Sequence, residues 1–292
     1  MMKPPAIRIF GISSYERPIL FCFCLSLIFM APSNAQHSSF KSPLGGILGS
    51  SGALEKSPWA IFSNPAGLSV LKKPVGGIGY QNDFYLKELS TRTAFASVPF
   101  HGSIFSGAFT HSGYQHFRKQ QYHLALSKNL APWLNMGLRF NYHLRYLTGR
   151  KNQRLLTLDA GWQLAASEKI HLGFHALNPA RSQWHIEGQK ENHLVVLATS
   201  VDYRPVSDVR LEAGLAKKLA FPPTLSMMVE SQVHEAVTIK GTAVSAPLRF
   251  GLGTGIIWQS LGFEMGLMHH ETLGFSSAFG LLYHLNHTTK KP

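Results

Sequence analysis

The sequence predicts an all-β fold: a transmembrane antiparallel β-barrel of about fourteen strands with a short N-terminal helical plug. Three observations carry this expectation. From about Val75 onward apolar residues recur at every second position, as in Leu134, Met136, Leu138, Phe140, Tyr142, Leu144 and Tyr146. Successive strand side chains point to opposite faces, so such segments have one greasy and one polar face. The chain is also short of charge, with 15% charged against 45% hydrophobic residues. Finally, the first 73 residues do not alternate and carry other signals.

Composition removes several classes. Soluble domains carry about 25% charged residues, and a disordered chain combines low hydrophobicity with high charge. No apolar run reaches the roughly 20 residues of a spanning helix, which excludes a helical membrane protein. The formal net charge of +13 leaves nucleic acid, an anionic membrane surface or an acidic partner as counterparts.

Taken in order, Lys3, Arg8 and Arg17 precede an apolar stretch from Pro18 to Met30 and the string Ala31-Pro-Ser-Asn-Ala35. Ser33 and Ala35 are small residues at the −3 and −1 positions of a signal-peptidase site, so residues 1–35 are expected to be a signal peptide cleaved before Gln36. Both cysteines, Cys22 and Cys24, leave with it, and the exported chain keeps a net charge of +11. An exported protein meets no chromosome, so nucleic acid drops out as a partner.

Residues 36–73 form the expected plug segment. Ser57-Pro-Trp-Ala-Ile-Phe-Ser-Asn64 reads as a short helix capped by the Ser57 hydroxyl, with Pro58 at its first position, where no hydrogen bond is lost. Pro65 ends it, because the residue before proline avoids the helical region. A barrel of about fourteen strands has a lumen too wide for wall side chains to fill, which is what a plug would occupy.

Residues 74–287 form the expected barrel, and 288–292 a tail. Turn chemistry bounds strands near 75–82, 91–100, 102–111, 120–128, 133–147, 154–165, 169–177, 193–203, 208–216, 223–233, 236–243, 247–258, 260–270 and 274–286. Alternation alone also fits a soluble sandwich; three features favour the barrel. Arg139, Arg145, Arg210, Lys240 and Arg249 lie on the polar face, where Asp159, Asp202, Glu212, Glu230 and Glu264 balance them in a lumen charge network. Aromatics gather near strand ends, as at Tyr80, Phe100, Trp133, Tyr146, Trp162, Tyr203 and Trp258, where amphipathic rings suit the bilayer interface. Tight turns alternate with longer polar connections at 112–119 and 178–192, the habit of outer-membrane barrels.

The string Trp59-Ala-Ile-Phe-Ser-Asn64-Pro65-Ala66-Gly67-Leu68 resembles the signature of the PorV/PorQ-like outer-membrane proteins, within the FadL-like superfamily of fourteen-stranded, N-terminally plugged barrels. Leu86-Lys-Glu-Leu-Ser90, Asn178-Pro-Ala-Arg181 and Leu273-Gly-Phe-Ser276 extend the resemblance along the chain. It implies a non-enzymatic component or accessory of type IX protein secretion, with secretion-system proteins or cargo as partners. The wider superfamily implies the alternative, a transporter of small hydrophobic molecules. The chain is shorter than either pattern, with small external loops.

Candidate chemistry is sparse, and neither a cofactor nor a metal is expected. His171 and His175 share a strand face but stand about 13 Å apart at the usual strand rise, too far to share an ion. His269-His270 ends a strand beside Glu271. Gly251-Leu-Gly-Thr-Gly255 mimics a phosphate loop but lies within a strand pattern, where its glycines make room for the plug. His111-Ser112 lacks the surroundings of a hydrolase. With both barrel ends in the periplasm, the outer connections hold Lys87, Arg118, Lys119, Arg150, Lys151, Arg181, Lys190, Lys217 and Lys218, against Glu88, Glu187, Glu191 and Glu271. The basic excess is thus expected as an outer rim facing the phosphates of outer-membrane lipid, or an acidic polymer or cargo.

Overall fold

The computed structural model describes residues 50–186, 189–219 and 221–285. The expected signal peptide, residues 36–49 of the expected plug, Glu187 and the C-terminal tail lie outside the described residues. Among those described, fourteen strands close into one antiparallel barrel. They are β1 (Val75–Asn82), β2 (Ser90–Phe100), β3 (Ser103–Tyr114), β4 (Phe117–Ala131), β5 (Leu134–Leu147), β6 (Gln153–Ala165) and β7 (Ile170–Leu177). After the short hairpin β8 (Gln183–Ile186) and β9 (Gln189–Asn192) come β10 (Val196–Val206), β11 (Val209–Lys218), β12 (Thr224–His234) and β13 (Val237–Ser245). The last three are β14 (Leu248–Trp258), β15 (Leu261–His270) and β16 (Gly274–His284), the last of which pairs with β1 to close the wall.

The alternation is realised as inside and outside. In β2, Thr91, Thr93, Phe95 and Ser97 are buried while Arg92, Ala94, Ala96 and Val98 are exposed. Outward side chains are largely apolar: Leu124 is 68% exposed, Met227 70% and Leu252 69%. Apolar surface spread right around a wall belongs in hydrocarbon rather than water. Full closure leaves no strand edge unpaired, which a wall in lipid requires. Trp133 and Trp258 stand exposed at one end of this belt with Phe100 and Tyr203.

Turn chemistry fixes the strand ends. His101 and Gly102 both take positive φ, 48° and 74°, giving the two-residue hairpin whose twist matches its strands. The expected connection at 112–119 is instead ladder: Ser112 pairs with Lys119, Gly113 with Arg118 and Tyr114 with Phe117. Gly113 permits this, with φ at +103° and a position where a Cβ would come within 2.1 Å of the Phe117 carbonyl. The expected loop at 178–192 holds β8 and β9, each too short to show a period.

The expected single helix is replaced by two 3₁₀ turns, Pro58–Phe62 and Pro65–Val70. Asn64-Pro65 therefore does not only stop a turn. It starts the second, with Asn64 as cap and Pro65 at the first position.

Candidate functional site

The stretch before β1 lies inside the barrel as far as Leu68, and Val70, Lys72 and Lys73 are exposed. Ser57 Oγ accepts from Trp59 N at 3.2 Å, and Asn64 Oδ1 from Ala66 N at 3.0 Å, so each turn carries its own cap. One side of the segment is apolar. Trp59, Ala60, Ile61 and Leu68 pack with Phe95, Ile104, Ala125 and Leu282, and the Trp59 ring meets Phe95 edge-on at 4.9 Å.

The other side is polar and hydrogen-bonded to the wall. Asn64 Nδ2 donates to the carbonyls of Ala53 (2.7 Å), Phe174 (3.2 Å) and Trp162 (3.3 Å), joining the segment to β7 and β6. Gln163 Nε2 donates to Glu55 O at 2.9 Å, and Arg210 Nη2 to Leu54 O at 3.1 Å. Such approach needs walls without side chains. A Cβ on Gly161 would stand 1.8 Å from Asn64 Oδ1, on Gly137 2.4 Å from Ala66 N, and on Gly173 2.4 Å from Ala53 O. The glycines that seat the segment thus lie mainly on β5, β6 and β7, with Gly214 of β11 against Ser51. Gly251, Gly253 and Gly255 lie in β14, within the strand as expected.

The charges form two groups. Arg139 donates through Nε (2.9 Å) and Nη2 (2.7 Å) to Asp159 Oδ2, and through Nη1 to the Ile61 carbonyl. Asp159 also accepts from Asn141 Nδ2 at 2.6 Å and from Asn178 N at 2.8 Å. The second group is centred on Arg210, 3.1 Å from Asp202, 2.6 Å from Glu212 and 3.8 Å from Glu230. Lys240 holds Glu230 at 2.7 Å and Arg204 reaches Asp202 at 3.3 Å. Burial beside Arg204 and Arg210 pushes the Lys56 ammonium down to about 8.

Three expected network members sit elsewhere. Arg145 pairs not across the wall but with Glu191 of the hairpin, through two bonds of 3.0 and 3.1 Å. Arg249 Nε has no hydrogen-bond partner among the described residues. Glu264 accepts from Trp59 and feels the charges of Lys240 and Glu230, but forms no ion pair among the described residues. His171 approaches Asp202 at 3.7 Å, and His175 is buried in the lumen. His270 Nδ1 accepts from Thr272 N and Leu273 N, closing the turn after β15.

The expected basic rim is uneven. Lys87, Arg118, Arg150 and Lys151 are exposed, Arg118 stacking over Tyr146 at 5.2 Å. Lys217 is buried instead, its Nζ donating to Phe221 O at 2.7 Å. Lys119 is in the β4 ladder, opposite Arg145, and Lys218 is half-buried beside Phe221. A long aliphatic stem beside an aromatic ring gains by covering apolar surface, which charge counting overlooks.

Above the Arg139–Asp159 pair lies a chamber of about 80 Å³, lined by Phe62 of the segment, by Leu177, Leu194 and Val196, and by His123, Asn141, His143, Thr157 and His193. The β8–β9 hairpin adjoins it. Trp184 is 3% exposed, packed on His143 and His193 with Arg145 over its face at 4.3 Å. Outside the wall, an apolar groove of about 420 Å³ runs between Ile78, Phe263, Phe279 and Leu281, over Gly79 and Gly280.

No protein-family model matches the sequence, and no curated protein sequence does. Solved structures do match. A FadL homologue of Pseudomonas aeruginosa is similar at TM-score 0.57 and 11% identity, over 85% of this chain and 98% of that one. The CymD monoaromatic hydrocarbon channel aligns at TM-score 0.63 and 8% identity, over 84% and 97%. The P. putida toluene transporter TodX aligns at 0.60 and 8%, over 79% and 95%. The chain has the fold of the FadL-like outer-membrane barrels. Membership of the PorV/PorQ group rests on the quoted strings alone.

Proposed function

We propose that this protein is a non-enzymatic outer-membrane barrel, plugged by its own N-terminal segment, that passes small hydrophobic molecules across the outer membrane. The observation that carries this is the seating of residues 50–68. Both of their sides are bound to the wall, one by packing and one by hydrogen bonds, so a hydrated solute finds no ready path beside them. The solved hydrocarbon channels that the protein resembles share its barrel fold, and the apolar groove on the lipid face offers a greasy molecule a seat at the wall. Uptake by cells with an intact lipopolysaccharide outer leaflet tests the reading. Cells making the protein should accumulate labelled toluene several times faster than cells lacking it, with sugar entry unchanged. Sugar entry that rises while toluene entry does not would defeat it.

A second reading, a component or accessory of type IX secretion, is favoured by the Asn64-Pro-Ala-Gly-Leu68 string. Those five residues are buried. The string therefore describes how the segment is seated and reaches no partner at the surface. Loss of C-terminally tagged proteins from the surface of a deletion strain would restore this reading over transport.

A further inference from the structure

Three arginines point sideways out of the wall in one sector of the barrel, β2 to β6. Arg92 of β2, Arg118 of β4 and Arg154 of β6 are all exposed and lie on the outward side of their strands. Pairing sets their spacing. Arg92 pairs with His111, His111 with Gln120, Gln120 with Leu144 and Leu144 with Arg154, so the two arginines end one cross-strand row. At about 4.8 Å per strand that row spans roughly 19 Å of wall. Arg118 stands between them, two residues nearer the connections, with its guanidinium 5.2 Å from the centre of the Tyr146 ring. None of the three forms an ion pair among the described residues.

This is the outer end of the barrel. The wall begins at Val75 and finishes at His284 at the opposite end, and the longest connection, 178–195, is here. The carboxylates at this end do not cancel the arginines: Asp83 accepts from Gln81, Glu191 is paired with Arg145, Glu88 adjoins Lys87, and Glu271 lies in the turn after β15, outside the sector. Elsewhere round the outer end the outward positions are apolar, at Leu197, Leu225, Phe250 and Phe275, and Lys217 is turned onto the Phe221 carbonyl. Even solvation would not gather charge on one sector.

The next outward row towards the hydrocarbon is Phe109, Tyr122, Tyr142 and Leu156, with ring centres 5.0 Å apart for Phe109–Tyr122 and 6.3 Å for Tyr122–Tyr142. Leu124, Phe140 and Leu158 follow below it. Aromatic rings of this kind mark the bilayer interface, where a charge on the lipid face costs little, so the arginines stand at headgroup level. A guanidinium grips a phosphate through two parallel hydrogen bonds. A lipid with a single phosphodiester reaches one arginine. Three arginines, above an apolar face several strands wide, match a headgroup that carries more than one phosphate on a rigid frame, with several acyl chains beneath.

We propose that the β2–β6 sector is a docking site for the phosphorylated glycolipid of the outer leaflet, lipopolysaccharide, with its phosphates on Arg92, Arg118 and Arg154 and its acyl chains along the Phe109–Leu156 row. This contact belongs to the outer wall and is independent of what passes through the lumen.

The test is native mass spectrometry of the full-length protein in detergent with bisphosphorylated lipid A, its dephosphorylated form, or phosphatidylglycerol. The bisphosphorylated lipid should bind about tenfold more tightly than either of the others. The combined variant Arg92→Gln, Arg118→Gln and Arg154→Gln, checked for intact heat-modifiable gel migration, should lose about that tenfold preference. Lys128→Gln, which alters an exposed lysine near the other end of β4, should leave binding unchanged. Dephosphorylated lipid A or phosphatidylglycerol binding as tightly as the bisphosphorylated form overturns the proposal, and this comparison needs no variant. A folded triple variant that keeps the preference overturns it as well.

Discussion

The two sides of the lumen segment are held by different physics. Towards β1–β4, Trp59 and Leu68 lie in an apolar seat with Phe95, Ile104 and Ala125. Towards β5–β7 and β11, side chains and backbone carbonyls meet in hydrogen bonds, from Asn64 to Phe174 O and Trp162 O and from Arg139, Gln163 and Arg210 to the carbonyls of Ile61, Glu55 and Leu54. Packing degrades gradually as volume is lost. A satisfied polar network fails abruptly, because removing one member leaves another buried without a partner. The segment thus has one tolerant side and one exacting side.

The largest effect is expected on the exacting side. Arg139→Ala should cost ~3–5 kcal/mol, since it strands buried Asp159, read as a fall in the temperature at which the heat-modifiable band unfolds. Arg139→Leu with Asp159→Leu should recover a good part of that loss. On the tolerant side Trp59→Leu should cost about 1–3 kcal/mol, with the barrel still migrating as folded. Should Trp59→Leu prove the worse of the two, the assignment of the sides is reversed.

Arg249 gives a sharper contrast. Charge counting alone would rank it with Arg139, but its Nε has no partner among the described residues. Arg249→Leu should leave the unfolding temperature unchanged or raise it slightly. The smallest effect concerns Lys56. Its folded pKa, about 8 against 10.5, lies below the unfolded one, so between those values the unfolded chain binds more protons and stability rises with pH. Lys56→Met should therefore raise the unfolding temperature at pH 7 and gain little at pH 10. An equal gain at both would point to packing rather than charge.

The barrel was largely legible because its signal is repeated: a period of two over many segments, broken by turn chemistry. The alternation put Arg139 and Asp159 on the same lumen face, but did not single them out as a pair. Single, unrepeated features were not legible. Asn64 looked like a stop before proline, yet its amide joins Ala53, Trp162 and Phe174, far apart in the chain. Gly137, Gly161 and Gly173 are scattered over three strands, so no run of glycines marks them. Glu191 sits in a connection with no period, so no sequence pattern assigns Arg145 to it. The alternation places side chains on faces; it does not say which of them meet across a lumen.

The most direct measurement is the ion conductance of the full-length protein reconstituted into a planar bilayer. A lumen bound on both sides to residues 50–68 predicts no steps above the bilayer baseline, while the same preparation still binds small aromatic compounds. Stable open steps of a fourteen-strand pore, without any change to the protein, would contradict the account.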